Sequence, residues 1–267
     1  MIISVSRRTD IPAFYSEWFM ERVKEGYVDV KNPFNPKQAR RVSLLPGDVD
    51  CFVFWTKNPA PMMKYLGRLD QGSYHYYFLY SLTAYGNSLE PGVPGLGYLL
   101  ETFRELSSRI GMAKVIWRYD PIFLSNKHDI DWHIAHFKSI ASELEGLTEK
   151  CVISFIDIYK KCVRRLEGTG IREPEEHELF EIAEGLSRIA SFHGIQLATC
   201  AEDIDLDQLG ISHSKCIDDE LVSKISGVNI SLKKDKYQRP ACGCVESTDI
   251  GSYNTCRYGC LYCYANR

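Results

Sequence analysis

No stretch of the 267-residue sequence approaches the roughly 18 consecutive apolar residues that a membrane-crossing helix needs. The first eight residues hold only a short apolar run before Arg7 and Arg8, which does not read as a secretory signal. Charge of one sign is scarce as well. With 32 basic and 35 acidic residues the formal net charge is −3, which argues against broad affinity for nucleic acid or membrane surfaces but leaves room for a local basic groove. There is no P-loop, no G-x-G-x-x-G after a strand and no G-x-S-x-G elbow. A soluble, cytoplasmic protein without a membrane partner is expected.

Cysteine is present but unevenly placed. Ten in a chain this long are too few for a disulfide scaffold, and five of them (Cys242, Cys244, Cys256, Cys260 and Cys263) fall in the last 26 residues. That clustering reads as metal binding in a reducing compartment. Cys256, Cys260 and Cys263 follow the spacing C-x3-C-x2-C on one short loop containing Gly259. Disulfides want an even number of thiols and a closed zinc site wants four ligands. Three thiols from one loop suit a cubane [4Fe–4S] cluster that keeps one iron free of protein. A structural zinc knuckle is the alternative.

The pair Cys242 and Cys244 could share a metal but cannot complete its shell. Cys200, at a predicted strand end, and Cys216, just before the Asp218–Asp219 helix start, are the natural partners. Four thiolates suit zinc or an auxiliary iron–sulfur cluster, and softness alone does not choose between them. Two isolated thiols and an ordinary turn are the competing reading. Cys51, Cys151 and Cys162 have strand or helix settings that favour apolar packing.

Along the chain, apolar strand-like runs alternate with helix-like segments. Strands are predicted at Ile2–Val5, Cys51–Trp55, Tyr74–Leu82, Lys114–Trp117, Cys151–Phe155 and Gln196–Thr199, with weaker candidates at Val228–Leu232 and Asp249–Tyr253. A helix opens at Pro12 and closes at Gly26, and residues 32–36, rich in Asn and Pro, read as a turn-rich loop. Leu99, Phe103, Leu106 and Ile110 recur in steps of four, three and four, one face of a helix. Strands apolar throughout are expected where both faces of a sheet are covered. The fold class is therefore α/β, a parallel (β/α) barrel or partial barrel, with a doubly wound open sheet as runner-up. Residues 1–232 form the barrel domain, and residues 233–267 form a cysteine-rich segment that completes it.

In such barrels the working face lies at the C-terminal ends of the strands. Those ends carry Arg7, Arg8 and Asp10, then Lys57 and Asn58, then Arg118 and Asp120, with Asp157 and Glu202 beyond. Buried strands that run straight into arginine–acid pairs suggest a charged pocket for a carboxylate or other anion. A ring of ion pairs tying loops to the rim is the alternative for any one of them. His133 and His136 lie one helical turn apart without a third ligand, so a packed or solvated helix face is expected.

The three-cysteine spacing resembles that of radical S-adenosylmethionine enzymes, and Leu261-Tyr262-Cys263-Tyr264-Ala265 resembles the variant found in spore photoproduct lyase-like proteins. Together with residues 6–10 (Ser-Arg-Arg-Thr-Asp), 54–59 (Phe-Trp-Thr-Lys-Asn-Pro) and 118–121 (Arg-Tyr-Asp-Pro), the chain resembles the DUF1848 family from end to end. The first resemblance implies a [4Fe–4S] cluster on Cys256, Cys260 and Cys263 whose open iron binds S-adenosylmethionine. It also implies reductive cleavage to a 5′-deoxyadenosyl radical, and it places Tyr262 near the adenine. An electron donor such as flavodoxin or ferredoxin is implied, with a small molecule or a nucleic acid as substrate. In those enzymes the motif follows the first barrel strand, whereas here it comes last. A circularly permuted barrel accounts for this if a strand near Asp249 sits beside Ile2–Val5.

Overall fold

The computed structural model describes residues 1–33 and 35–266, the side chain of Pro36 excepted. Its strands in chain order are β1 (Ile2–Val5), β2 (Tyr27–Asn32), β3 (Asn35–Ser43), β4 (Cys51–Thr56) and β5 (Tyr76–Ser81). They continue with β6 (Val115–Ile122), β7 (Lys150–Phe155), β8 (Gln196–Thr199), β9 (Ser212–His213) and β10 (Thr248–Asp249). Eight of them form one sheet in the order β10-β1-β4-β5-β6-β7-β8-β9, and every neighbouring pair is parallel. From β1 to β9 the order climbs in one direction, and β10 returns to lie beside β1, a parallel α/β sheet of the class expected. The edge strands are β9 and β10.

Both faces of the sheet are covered, which explains why its strands are apolar throughout. On one face Phe52, Phe54, Phe78, Trp117 and Ile153 pack against Phe19, Phe103, Phe137 and Ile182 from the helices that follow the strands. The opposite face presents Val53, Tyr77, Leu79, Ile116 and Val152, and it is covered by Cys216, Val222, Cys242, Cys244 and Val245 from the last fifth of the chain. Leu99, Phe103, Leu106 and Ile110 are all buried on the helix Leu96–Ile110, as their spacing requires. The helix Ile130–Leu144 starts where Asp129 accepts the Trp132 N–H at 2.8 Å. A reciprocal box between Glu175 and Glu178 opens Glu176–Phe192. Among the described residues, no helix is long and apolar enough to cross a membrane.

Four local expectations change. The helix expected from Pro12 to Gly26 is two helices, Ile11–Phe14 and Ser16–Glu25, broken at Tyr15, with Gly26 left-handed at φ 80°. Of the loop expected over residues 32–36, Asn32 is the last residue of β2 and Asn35 the first of β3 in an antiparallel hairpin; Phe34 lies outside the described residues. Val228–Leu232 is not a strand. The Ile230 N–H is taken by Ser223 Oγ at 2.9 Å and the Leu232 N–H by Asp219 Oδ2 at 3.4 Å, so the helix Asp219–Ser226 satisfies this backbone instead of a neighbouring strand. The strand near Asp249 spans only Thr248–Asp249, and it pairs with β1 through Ile3 and Ser4. Gly251 ends it against β1: a Cβ there would sit 2.1 Å from Ser6 Oγ.

Candidate functional site

All strands of the sheet point their C-terminal ends to one edge, and the polar residues there converge on a cavity of about 290 Å³. Arg7, Arg8 and Asp10 reach it from the end of β1, Lys57 from β4, and Arg118 and Asp120 from β6. Cys200, Cys242, Cys244, Cys256 and Cys263 are on its wall too. Of the remaining candidates, Asn58, Cys216, Cys260 and Tyr262 lie behind that wall. Asn58 serves the backbone, its Oδ1 accepting the Ala60 N–H at 3.1 Å. A larger groove of about 850 Å³ lies under the β2–β3 hairpin and shares Arg8 with the cavity, but no cysteine lines it.

Asp10 is almost wholly buried. It accepts the Lys57 N–H at 2.7 Å, the Ala13 N–H at 2.9 Å and Thr56 Oγ1 at 3.0 Å. Burial outweighs these three bonds and pushes its carboxyl up to about 7. The Lys57 side chain turns to Glu90, with Nζ 2.8 Å from Oε1 and exposures of 13% and 3%. Desolvation alone would lower the lysine, but the charges of Glu90 and Cys260 carry it above its ordinary value, so it stays a cation. Glu90 also accepts Thr83 Oγ1 at 3.1 Å and the hydroxyl of Tyr262. Arg118 pairs with Asp120 at 2.7 Å, and Ser154 donates to that carboxylate. Arg8 is held by Asp249 at 3.8 Å and by the Gly251 carbonyl at 3.3 Å.

The indole of Trp55 meets two guanidiniums, Arg7 at 5.5 Å and Arg118 at 4.9 Å from its centroid. Nε of Arg7, Nε of Arg118, Trp55 Nε1 and Thr9 Oγ1 are all buried without a hydrogen-bond partner. A buried donor left unpaired costs about 1–3 kcal/mol, so four in one cavity wall need a reason. An acceptor-rich, anionic ligand would provide one.

The tail loop closes on itself. The Asn254 N–H donates to Ala265 O at 2.9 Å, Asn266 Nδ2 to Cys256 O at 2.9 Å and the Cys263 N–H to Cys260 O at 3.1 Å. Arg165 clamps it from outside, donating to the carbonyls of Cys263 at 2.5 Å, Asn266 at 3.1 Å and Cys260 at 3.4 Å. The loop docks on residues 89–92 through Leu261 N–H to Leu89 O at 3.0 Å and Gly92 N–H to Tyr258 O at 2.9 Å. Gly92 is required for that approach, since a Cβ would lie 2.8 Å from Tyr258 O. Burial pushes the Cys260 thiol up to about 12, with Lys57 opposing and Glu90, Cys263 and Cys256 adding to the rise. The three thiols thus lie close enough to feel one another's charge. Tyr262, with its hydroxyl on Glu90, has its ring 6.0 Å from Phe123 and 6.1 Å from Tyr85, in an aromatic cluster behind the cavity.

The other four tail-side cysteines come together. Cys216 Sγ donates to Cys200 Sγ at 3.2 Å, and Cys242 and Cys244 pack in the same buried layer. The Ile217 N–H points at Cys244 Sγ at 3.3 Å. Among the described residues, no three or more His, Cys, Asp or Glu side chains are set out as a metal-ligand shell as they stand. Cys51 and Cys151 are fully buried packing residues. Cys162 is buried but reaches the tail loop, donating to Tyr262 O at 3.5 Å. His133 is a core residue between Tyr119 OH (3.0 Å) and Phe123 O (2.7 Å).

Sequence reasoning missed Glu90, Arg165 and Trp55. Glu90 sits in a loop with no periodicity; only the Pro91–Gly92 step that follows it hinted at a tight contact. Arg165 lies on the short helix Lys160–Leu166, where arginine is ordinary, and Trp55 reads as one more apolar strand residue.

No curated protein matches the chain. Among solved structures it is similar to a candidate alpha-L-fucosidase from Bacteroides thetaiotaomicron, at 12% identity over 82% of this chain and 81% of that one. With a TM-score of 0.31 that likeness carries no argument. The sequence match is firmer: the family model of the domain of unknown function DUF1848 spans residues 2–265, and the chain belongs to that family.

Proposed function

We propose that this protein is a radical S-adenosylmethionine-type iron–sulfur enzyme built on a partial, circularly permuted (β/α) barrel. The observation that carries the reading is the place of the cysteine loop. It follows β10, which lies parallel beside β1, and it brings Cys256 and Cys263 to the cavity at the C-terminal edge of the sheet. A strand followed at once by the cysteine loop is the order that the motif has in the enzymes it resembles.

The donor set fits a cubane cluster. Cys256, Cys260 and Cys263 come from one self-closed loop, and the cavity side has no fourth cysteine of that loop. Such a cluster, when bound, supplies one electron to the sulfonium of S-adenosylmethionine. The chain's own residues have separate tasks. Arg7 and Arg118 offer buried, unpartnered N–H groups suited to a carboxylate or another anion. Asp10 and Thr56 fix the Lys57 backbone, while Lys57, Glu90 and Tyr262 pin the loop from behind. Trp55 offers its ring to both guanidiniums.

The test is anaerobic reconstitution. The wild-type protein should hold about four iron and four sulfide per chain at this site, and the triple variant Cys256→Ala/Cys260→Ala/Cys263→Ala should hold none. After dithionite reduction with S-adenosylmethionine, 5′-deoxyadenosine should appear by chromatography. Fully loaded protein that neither binds nor cleaves S-adenosylmethionine would end this reading.

A further inference from the structure

We infer that Cys200, Cys216, Cys242 and Cys244 form a second, mononuclear metal site, a tetrathiolate for zinc, independent of the tail-loop cluster. Its ligands come from three segments: the end of β8, the turn before the helix Asp219–Ser226, and the Cys242–Cys244 pair. Nothing local in the sequence requires these segments to meet, yet the structure packs all four cysteines into one buried layer. Cys200 touches Cys216 at 3.2 Å, the N–H of Ile217, next to Cys216, reaches Cys244 Sγ at 3.3 Å, and Cys242 precedes Cys244 by two residues.

Packing preference alone does not explain this. A buried cysteine behaves as a small apolar residue, and the same sheet buries Cys51 and Cys151 singly. Four cysteines gathered in one layer instead leave S–H groups with only weak acceptors. The surroundings suit negative sulfur. The Ile217 N–H is directed at Cys244 Sγ at 3.3 Å. Arg7 and Arg118 stand near enough to act on the thiols electrostatically, and each keeps a buried Nε–H with no partner. A zinc ion with four thiolates carries a net charge of −2, which Arg7 and the Asp120-paired Arg118 would offset only in part. Binding releases the four thiol protons to solvent and involves no electron transfer.

The size of the group selects the ligand. Zinc–sulfur bonds of about 2.3 Å place the four sulfurs of a tetrahedral site about 3.8 Å apart. The Cys200–Cys216 contact therefore has to open by only about 0.6 Å, whereas the sulfurs around a cubane stand much farther apart. Backbone contacts already hold the segments at that spacing. The Val245 N–H donates to Ile217 O at 3.1 Å and the Asp235 N–H to Cys244 O at 2.9 Å. Zinc here would tie the tail to the sheet.

The test uses the whole protein and two metals. Chain purified without chelator should carry about one zinc per molecule, retained in the triple alanine variant of Cys256, Cys260 and Cys263. Cobalt(II) exchanged into the site should give the intense visible bands of tetrahedral sulfur ligation, and Cys216→Ser should weaken its binding by at least tenfold. Because Cys216→Ser could unfold the region, alkylation of the wild type with iodoacetamide is the second readout. Zinc should protect Cys200, Cys216, Cys242 and Cys244 together, and chelation should expose them together. No zinc or cobalt uptake, a Cys200–Cys216 disulfide in protein isolated under reducing conditions, or iron with inorganic sulfide on these four residues would each overturn the proposal. None of these outcomes bears on the tail-loop cluster, whose iron is counted on its own variant.

Discussion

The tail loop and the four-thiol cluster reach the same cavity from two sides, and they are assembled in different ways. The tail loop takes its three cysteines from eight consecutive residues, and its setting is ionic, with Lys57, Glu90 and Asp10 close behind it. The four-thiol cluster draws on residues as far apart as 200 and 244, and its thiols sit in an apolar layer with Ile217, Val222 and Val245. A local motif can be built by the loop itself, through Asn254–Ala265 closure and the Gly259 turn at φ +68°. A distributed one depends on the sheet, and it forms only once β8 and the tail have docked. Disturbing the buried ion pair should therefore damage the loop and spare the cluster.

Removing Glu90 gives the largest expected effect. Glu90→Ala leaves Lys57 buried without its counter-ion and frees the Tyr262 hydroxyl. Breaking one partner of a buried pair costs on the order of 3–5 kcal/mol. Denaturant unfolding should show that loss, and the tail loop's iron should become labile while the zinc content stays at the wild-type level. Glu90→Gln, which keeps an acceptor for Tyr262, should lose clearly less. The pair of Lys215 with the exposed Glu220 is the control, and Glu220→Ala should cost under about 1 kcal/mol. Equal losses in Glu90→Ala and Glu220→Ala would remove the contrast between the two regions.

The same contrast explains what could be read from the sequence. The spacing of Cys256, Cys260 and Cys263 is one-dimensional information, and so is the run of β-branched and aromatic residues in β4, β5 and β6. The alternation of strand and helix gave the parallel sheet, and a strand at Asp249 beside Ile2–Val5 followed from where the motif had to sit. Pairing Cys242 and Cys244 with Cys200 and Cys216 rested on strand-end placement, and their contact appears only in three dimensions. Glu90 and Arg165 were illegible because each works through backbone or side-chain groups far along the chain, with no period or motif of its own. The β2–β3 hairpin was hidden for a different reason. Its strands are short of apolar residues on the outer face, and the Asn–Pro run between them outweighed the alternation Val28, Val30 and Val42.

Acid should loosen the loop side next. His133 lies under the aromatic cluster that backs Tyr262, fully buried, and burial lowers it from 6.5 to about 4. In the unfolded chain it takes up a proton near pH 6.5, while the native form stays neutral to about pH 4. The unfolded state therefore binds more protons across that window, and native stability from this residue falls as pH drops from 6.5 towards 4. The total is about 3 kcal/mol for a shift of this size. Asp10 and Glu202, both pushed up to about 7 by burial, work in the opposite sense, since their native forms hold a proton that the unfolded chain has lost. The measurement is thus a difference: urea midpoints of wild type and His133→Gln at pH 7.5 and pH 4.5. The wild type should lose more on acidification than the variant does. Parallel pH dependence in the two proteins would mean that His133 is protonated in the native state.

Two glycines provide the finest comparison, because each marks the point where a cysteine region meets its support. At Gly92 a methyl group would stand 2.8 Å from Tyr258 O, 2.9 Å from Tyr258 Cα and 3.0 Å from Arg257 O. All three are backbone atoms of the tail loop, so the loop itself has to move. Gly92→Ala should cost about 1–3 kcal/mol, as overpacking of a tight contact does, and it should lower iron retention by the loop. At Gly243 the nearest atoms are Lys215 Cγ and Ser214 O, each at 3.4 Å, an ordinary contact whose first neighbour is a flexible side chain. Its φ also falls outside the left-handed range, so alanine meets no backbone strain there. Gly243→Ala should change stability by less than about 0.5 kcal/mol and leave the cobalt spectrum of the four-thiol site as it is in the wild type. If Gly243→Ala released the metal while Gly92→Ala left the iron in place, the support of the two regions would be the reverse of the one drawn here. The four-thiol cluster, rather than the tail loop, would then be the one that depends on a single close backbone approach.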